Sequence, residues 1–166
     1  MSDDGHFKRL QSMYLAAPIN KIFPPTIRVS DGCAEIQLDV KPEYFHSVGA
    51  VHGSVIFKLL DDAAFFAANS LEPSVFVLTT SFTTYLTRPI SSGIIRAVGK
   101  VVNKNRSQFI AEAIAQNPDV FSLNYVFKFE NHSPFNFSYI RKQKEKFSNY
   151  NGFLLTAVED MAFAES

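Results

Sequence analysis

The chain has 166 residues, of which 46% are apolar and 19% charged, values typical of one globular domain and not of a disordered or fibrous protein. Its 16 basic residues are balanced by 16 acidic ones, so it lacks the positive field that attracts nucleic acid. Cys33 is the single cysteine, which excludes an intramolecular disulfide. Neither a secretion signal nor a membrane-spanning apolar run is found, so we expect a cytoplasmic protein without a membrane partner.

The first half of the chain predicts two helices and a hairpin. Apolar residues recur at helical spacing over 5–16, the pattern of a short amphipathic helix. The segments Thr26–Ser30 and Ala34–Val40 flank the turn dipeptide Asp31-Gly32 and predict a hairpin. Over 51–69, apolar residues cover most of a helix circumference, so this helix should be buried, and its alanines leave room for close contact with a sheet.

The second half is rich in strand-forming residues. Strands are predicted over Val75–Leu86, Ile94–Val102 and Gln108–Gln116, and alternating apolar residues predict a last strand over Phe121–Phe129. This order of elements favours an α+β fold with one long central helix wrapped by a curved antiparallel β-sheet.

Polar residues that are rare in a protein core cluster at the start of the predicted central helix. Gly53 lies where unpaired N–H groups carry a partial positive charge, so a carbonyl oxygen could approach its backbone as in an oxyanion hole. The alternative is that His52 and Gly53 only cap the helix. His46, His52 and the nearby acids have no third ligand at a usual metal spacing, so no metal site is expected.

Asp61 and Asp62 fall near the middle of the same apolar helix. An ionised carboxylate there is costly unless it is paired, so one of the two is a candidate general base or nucleophile. The alternative is a structural carboxylate bonded to the backbone or to a neighbouring subunit.

The spacing of these groups bears on the assembly. Gly53 and Asp61 are separated by about 12 Å along one helix, at ~1.5 Å per residue, so they cannot both contact one reacting carbon. Antiparallel helices across a two-fold axis would bring each Gly53 near Asp61 of the partner subunit. Hydrolysis of a thioester suits so few groups, because a thiolate with a pKa near ~8.5 leaves without a strong general acid.

The residues at this helix start resemble those of a known family. The resemblance is to the hotdog-fold acyl-coenzyme A thioesterases of the phenylacetate-pathway (PaaI-like) type, which carry an Asn-x-x-Gly-x-x-His-Gly-Gly loop before a helix with Leu-x-Asp-x-Ala. It extends over residues 5–119. The matching residues are Gly49, His52, Gly53, Leu59, Asp61 and Ala63.

The resemblance implies a hotdog fold, hydrolysis of an acyl-coenzyme A thioester, and a homodimer or homotetramer. Asp61 would activate water or attack the thioester, and the Gly53 N–H would hold the carbonyl oxygen. Thr79, on the strand after the helix, would assist Asp61. Arg88 would meet a coenzyme A phosphate, or else is an exposed strand-end arginine. Coenzyme A is part of the substrate, so no separate cofactor is expected.

Two departures from the family pattern concern the loop. His46 replaces the family's asparagine and Ser54 replaces its second glycine. A ring nitrogen of His46 can still donate a hydrogen bond, so His46 and His52 are expected to support catalysis. The alternative is a non-catalytic acyl-coenzyme A binding or regulatory module. Hydration of an enoyl thioester would need a local Asp and His pair, which the sequence does not show.

The end of the chain departs further from the family. We expect a single hotdog domain over residues 1–130 and an atypical C-terminal tail over 131–166. The segment over residues 120–166 is either a variant family ending or the product of a shifted reading frame. Phe57, Phe65 and Phe66 are expected to contribute aromatic pocket walls, which favour an aryl or medium-chain acyl group.

Overall fold

The computed structural model of the protein describes residues 4–105, 108–118 and 161–163. Within them lie two α-helices, α1 (Asp4–Ala16) and α2 (Gly53–Asn69), and short 3₁₀ turns at Pro18–Lys21 and Pro42–Tyr44. The strands are β1 (Thr26–Ser30), β2 (Cys33–Asp39), β3 (Val77–Thr79), β4 (Ile94–Lys104), β5 (Gln108–Gln116) and β6 (Met161–Phe163). The predicted first helix and central helix are confirmed, as are the strands now named β4 and β5.

The predicted hairpin is confirmed as β1 and β2. Ser30 pairs with Cys33 at the end of the ladder, which leaves a two-residue connection. Gly32 adopts a φ of 62° there, a left-handed conformation that glycine takes without the steric penalty of a Cβ. Alternate residues of β2 are buried, so one face of the hairpin belongs to the core.

The sheet is antiparallel, with the strand order β1-β2-β4-β5-β6-β3. The predicted strand over Val75–Leu86 is too long, because β3 spans only Val77–Thr79 and pairs with β6 over those residues. The Val, Phe, Thr and Tyr content of this segment favours extended backbone, but a strand also needs a ladder partner. Thus β3 is a three-residue strand at the end of the sheet.

Helix α2 packs into the concave face of the sheet, as the predicted α+β architecture requires. The helix-facing residues of the sheet are apolar and buried: Ile27, Val29, Ala34, Ile36, Leu38, Ile95, Ala97, Phe109, Ala111, Ala113 and Ala115. At Gly99 the approach is closest, since a Cβ there would lie 2.2 Å from the Ala63 carbonyl oxygen and 2.6 Å from the Ala64 nitrogen. The alanines of α2 therefore do permit the close contact that the sequence predicted.

Helix α1 packs on β1 and covers one side of α2. Its Leu10 and Tyr14 are buried, and Gln11 accepts a hydrogen bond from the Val29 backbone at 2.7 Å. Within the described residues neither helix is both long and apolar enough to cross a membrane.

The C-terminal part of the chain bears on the expected domain organisation. The predicted strand over Phe121–Phe129 lies outside the described residues. Strand β6 belongs to the segment expected to be a tail, and it pairs with both β3 and β5. The division into a domain over 1–130 and a tail over 131–166 stays a prediction.

Candidate active site

The start of α2 is capped by His52. Its backbone is extended, with φ −62° and ψ 138°, and its Nδ1 accepts the Ser54 N–H at 3.1 Å. The Ser54 hydroxyl lies 2.7 Å from the same nitrogen. The capping role that the sequence offered as an alternative for His52 is therefore confirmed, and it satisfies one of the N–H groups that a helix start leaves unpaired.

Gly53 is the first residue of α2, so its N–H has no acceptor within the helix. A Cβ at this position would lie 2.8 Å from Leu86 Cδ1. The glycine thus lets the Leu86 side chain approach the backbone beside this N–H. Its position satisfies the first requirement of an oxyanion donor, an N–H at the positive end of a helix.

The loop before the cap is a tight turn built around His46. The His46 N–H donates to the Ala50 carbonyl at 2.8 Å, and the Gly49 N–H donates to the His46 carbonyl at 3.0 Å. Gly49 has a φ of 79°, which explains a glycine there. The Val48 N–H donates to His46 Nδ1 at 3.1 Å. In a neutral ring the proton then sits on Nε2, so His46 keeps one N–H donor in place of the family's asparagine amide.

Asp61 lies on the side of α2 that faces β3. Its Oδ1 accepts a hydrogen bond from the Thr79 hydroxyl at 3.2 Å. The buried Asn69 fixes this arrangement, because its Oδ1 accepts the Val77 N–H at 3.0 Å while its Nδ2 donates to the Phe65 carbonyl at 2.9 Å. Asn69 thus ties the end of α2 to the start of β3, and so places Thr79 opposite Asp61.

Asp62 lies on the side of α2 that faces α1, in a polar cluster with Tyr14, Asn20 and Lys58. Its Oδ2 accepts from the Tyr14 hydroxyl at 2.8 Å and from Lys58 Nζ at 2.5 Å. Lys58 also donates to Asn20 Oδ1 at 2.7 Å, and Asn20 donates to the Tyr14 carbonyl at 2.6 Å. Burial, and then the Asp62 charge, raise the pKa of the Tyr14 hydroxyl well above its usual range. Asp62 is therefore a structural carboxylate, but its partners are side chains of the same chain, whereas the alternative drawn from the sequence expected the backbone or a neighbouring subunit.

Four polar residues of this region were not singled out from the sequence: Tyr14, Asn20, Lys58 and Asn69. The sequence could have indicated Lys58 as a partner of Asp62, because it precedes Asp62 by four residues, the spacing of an ion pair on one helix face. Tyr14 and Asn20 reach Asp62 and Lys58 only through the packing of α1, which local spacing does not reveal.

Arg88 is exposed at a bend before Pro89. Two residues before it, Leu86 packs beside Gly53. Two residues after it, the Ile90 carbonyl accepts the Val51 N–H at 2.8 Å. Arg88 is thus flanked by contacts to the start of α2, where the predicted oxyanion donor lies.

The aromatic residues expected to line a pocket differ in exposure. Phe66 is 5% exposed and packs edge-on against Tyr14 with ring centroids 5.0 Å apart. Phe57 is 42% exposed and contacts Phe82 at 4.1 Å. Phe66 is therefore a core residue, whereas Phe57 remains available to a ligand or to a second subunit.

Metal ligation can be judged only for the part of the chain that the structure describes. There, no three His, Cys, Asp or Glu side chains come together as a metal ion would require. The nitrogen of His46 that faces the loop is used by Val48, and the Nδ1 of His52 is used by Ser54.

Comparisons with known proteins agree with this architecture. A family model described as "Thioesterase superfamily" matches residues 48–120, which include both Gly53 and Asp61. No curated protein matches the sequence.

Three solved structures with the same fold each cover between 73% and 96% of this chain. A thioesterase family protein from Silicibacter pomeroyi has a TM-score of 0.67 at 17% identity, over 96% of this chain and 98% of that one. The PaaI protein from the phenylacetic acid degradation operon of E. coli has a TM-score of 0.66 at 19% identity, over 73% and 87%. A conserved protein from Pseudomonas aeruginosa has 0.64 at 17%, over 92% and 98%. The hotdog fold implied by the sequence is thereby confirmed.

Proposed function

Because residues 48–120 of this hotdog-fold chain match a family model described as "Thioesterase superfamily", we propose that the protein hydrolyses an acyl-coenzyme A thioester to a free acid and coenzyme A. The observation that carries the proposal is the contact between Asp61 and Thr79, on a helix whose other central carboxylate is already paired. In this proposal Asp61 is the reactive carboxylate, and Thr79 orients it.

In the proposed reaction Asp61 acts on the thioester carbonyl, either by taking a proton from an attacking water or by attacking the carbon itself. The carbonyl oxygen gains negative charge and is held by the Gly53 N–H. The C–S bond then breaks, and the coenzyme A thiolate leaves and takes up a proton from water. When Asp61 attacks the carbon itself, the resulting anhydride between the acyl group and Asp61 is then cleaved by water. Either route therefore consumes one water and yields one acid and one thiol, without a resident cofactor.

The two groups must come from different subunits. They are about 12 Å apart along α2, and the contacts within one chain place Gly53 beside Leu86 and Asp61 beside Thr79. A two-fold dimer with antiparallel α2 helices brings Gly53 of the partner subunit to Asp61, and gives two equal sites. We propose a homodimer of this kind, or a homotetramer built from two such dimers.

The first experiment follows thiol release from aryl- and medium-chain acyl-coenzyme A thioesters, comparing the wild type with Asp61→Asn. The proposal expects turnover by the wild type and its collapse in the variant, with the oligomer unchanged by light scattering. Absence of turnover by the wild type would refute the proposed hydrolysis.

The oxyanion donor is tested with Gly53→Pro. Proline removes the N–H but suits the first position of a helix, and the extended backbone of His52 is the conformation that a residue before proline prefers. Gly53→Ala is the matched control, since it adds bulk against Leu86 and retains the N–H. We expect kcat to fall by about 10²-fold or more in the proline variant, and much less in the alanine variant.

The shared site is tested by mixing the two inactive variants. A hybrid dimer of one Asp61→Asn chain and one Gly53→Pro chain contains one site with both functional groups intact. Random reassociation of equal amounts should restore about a quarter of wild-type activity, since about half of the dimers are hybrids with one working site. If each chain had a complete site of its own, mixing would restore nothing.

A non-catalytic acyl-coenzyme A binding module is the second candidate, and the loop favours it. His46 stands where the family has asparagine, and its Nδ1 is occupied by Val48. His46→Asn separates the two functions. Faster thiol release in this variant indicates that the histidine impairs turnover, whereas saturable binding without release in both proteins indicates a binding module.

A further inference from the structure

We infer that Lys58, with Tyr14 and Asn20, holds Asp62 as a charge-compensated structural carboxylate and so leaves Asp61 as the single reactive carboxylate of α2. The inference rests on the proposed thioester hydrolysis and adds Lys58 to it as a positioning residue. Lys58 acts through charge and does not touch the substrate.

The first support is the burial of the pair. The Lys58 and Asp62 side chains are 14% and 20% exposed, so their charges are screened less than those of a surface pair. Lys8 and Asp4 on α1 have the same four-residue spacing, but their side chains are 68% and 62% exposed. The described residues thus include a partly buried pair and an exposed pair of the same kind.

The second support is the number of donors around Asp62. Lys58 and Tyr14 both donate to its Oδ2, while Asn20 anchors Lys58 from the opposite side. The Lys58 ammonium also lies 5.0 Å from the centre of the Tyr14 ring. An unpaired, ionised Asp62 would lower the stability of the fold here, and it would repel the adjacent carboxylate, Asp61.

The third support is the apolar surface that the described strands present to α2 around this pair. The helix-facing positions of β1, β2, β4 and β5 that the structure describes are apolar or glycine. From β3, Thr79 faces Asp61. From α1, Tyr14 interacts electrostatically with Asp61 as well as Asp62, and His6 contacts the Asn69 carbonyl at the C-terminal end of α2. On α2 itself, Lys58 and Asp62 are the charges nearest to Asp61. The balance between these two charges therefore contributes to the electrostatic field at Asp61.

The test is the pH dependence of kcat/KM in a set of variants of the full chain. Lys58→Met leaves the Asp62 charge uncompensated, which disfavours the ionised form of Asp61, so the acid limb of the profile should move up by about one pH unit. Asp62→Asn leaves the Lys58 charge uncompensated, so the limb should move down. The double variant restores neutrality and should return it near the wild-type position. Lys8→Met, the exposed counterpart, should not move it.

Shifts of opposite sign cannot come from loss of packing alone. If both single variants lower the melting temperature but leave the acid limb in place, Lys58 is only structural and the inference is wrong. The carboxyl ¹³C resonance of Asp61, assigned by its loss in Asp61→Asn, provides a readout without activity. If the wild type releases no thiol, the proposed function fails, and this titration still decides whether Lys58 and Asp62 control Asp61.

Discussion

The adjacent carboxylates Asp61 and Asp62 have different hydrogen-bond partners on the two sides of helix α2. On the α1 side, Asp62 receives an ammonium and a phenol hydroxyl, within a cluster that also ties down the turn after α1. On the β3 side, Asp61 receives a hydroxyl from a three-residue strand at the end of the sheet. The comparison shows that neighbouring residues of one type gain different surroundings from the elements packed beside them.

The largest expected difference is between the two asparagine substitutions. We expect Asp61→Asn to lower kcat/KM by about 10³-fold, the range lost with a general base, and Asp62→Asn to lower it by less than about tenfold at neutral pH. Steady-state thiol release measures both. Equal losses in the two variants would contradict the division of roles.

Thr79 tests how strongly the β3 side orients Asp61. Thr79→Val removes the hydroxyl and retains the shape, so we expect kcat to fall by about tenfold, the cost of losing roughly one hydrogen bond to a charged group. Thr79→Ser retains the hydroxyl and should recover most of the rate. A slow serine variant would show that the methyl group matters and the hydrogen bond does not.

The contribution of the α1 side can be measured from the free energy of unfolding of a Tyr14 variant. Tyr14→Phe should lower the free energy of unfolding by about 1.5–3 kcal/mol, because Asp62 loses a hydrogen bond to a charged group. Since the pKa of Tyr14 is raised in the folded state, its contribution is present below about pH 10 and declines above it, where the unfolded chain ionises first. Urea unfolding from pH 8 to 11 should show the difference between wild type and variant shrinking. A constant difference would argue against the buried phenol.

The smallest effect is expected on the outer face of the sheet, away from both sides of the helix. Hydrogen bonds from Arg96 hold the pKa of Glu35 at about 2, so this pair stabilises the fold above the usual carboxyl pKa and loses its effect as the pH falls towards 2. Because the pair is partly exposed, Glu35→Gln should cost about 1 kcal/mol or less at neutral pH. Thiol release should not change, and acid unfolding of the two proteins should converge near pH 2.

Most of the fold could be predicted from the sequence, because its elements have strong local patterns. The alternation in β2 and the apolar circumference of α2 are both visible in the sequence, and both elements are confirmed. The strand at Val75–Leu86 was predicted too long because its composition is strand-like throughout, whereas β3 needs a partner that lies more than eighty residues away along the chain.

The candidate site was only partly predictable. Sequence spacing put Asp61 and Asp62 on a buried helix, but their separation depends on where α1 packs, and Tyr14 is 48 residues from Asp62. Likewise, the placement of Thr79 by Asn69 is a tertiary effect. The ion pair of Lys58 and Asp62 was readable in advance from its four-residue spacing.

The close contact at Gly99 makes the position of Asp61 depend on a residue of strand β4. A side chain at position 99 would clash with the backbone of α2 at Ala63 and Ala64. A change of side-chain rotamer could not relieve this clash, because the atoms in contact belong to the backbone. The helix would have to retreat as a rigid rod, and Asp61, two residues earlier, would retreat with it. A substitution at Gly99 would therefore change the position of Asp61 although Gly99 does not contact it, and it would be tolerated only with compensating changes on the helix.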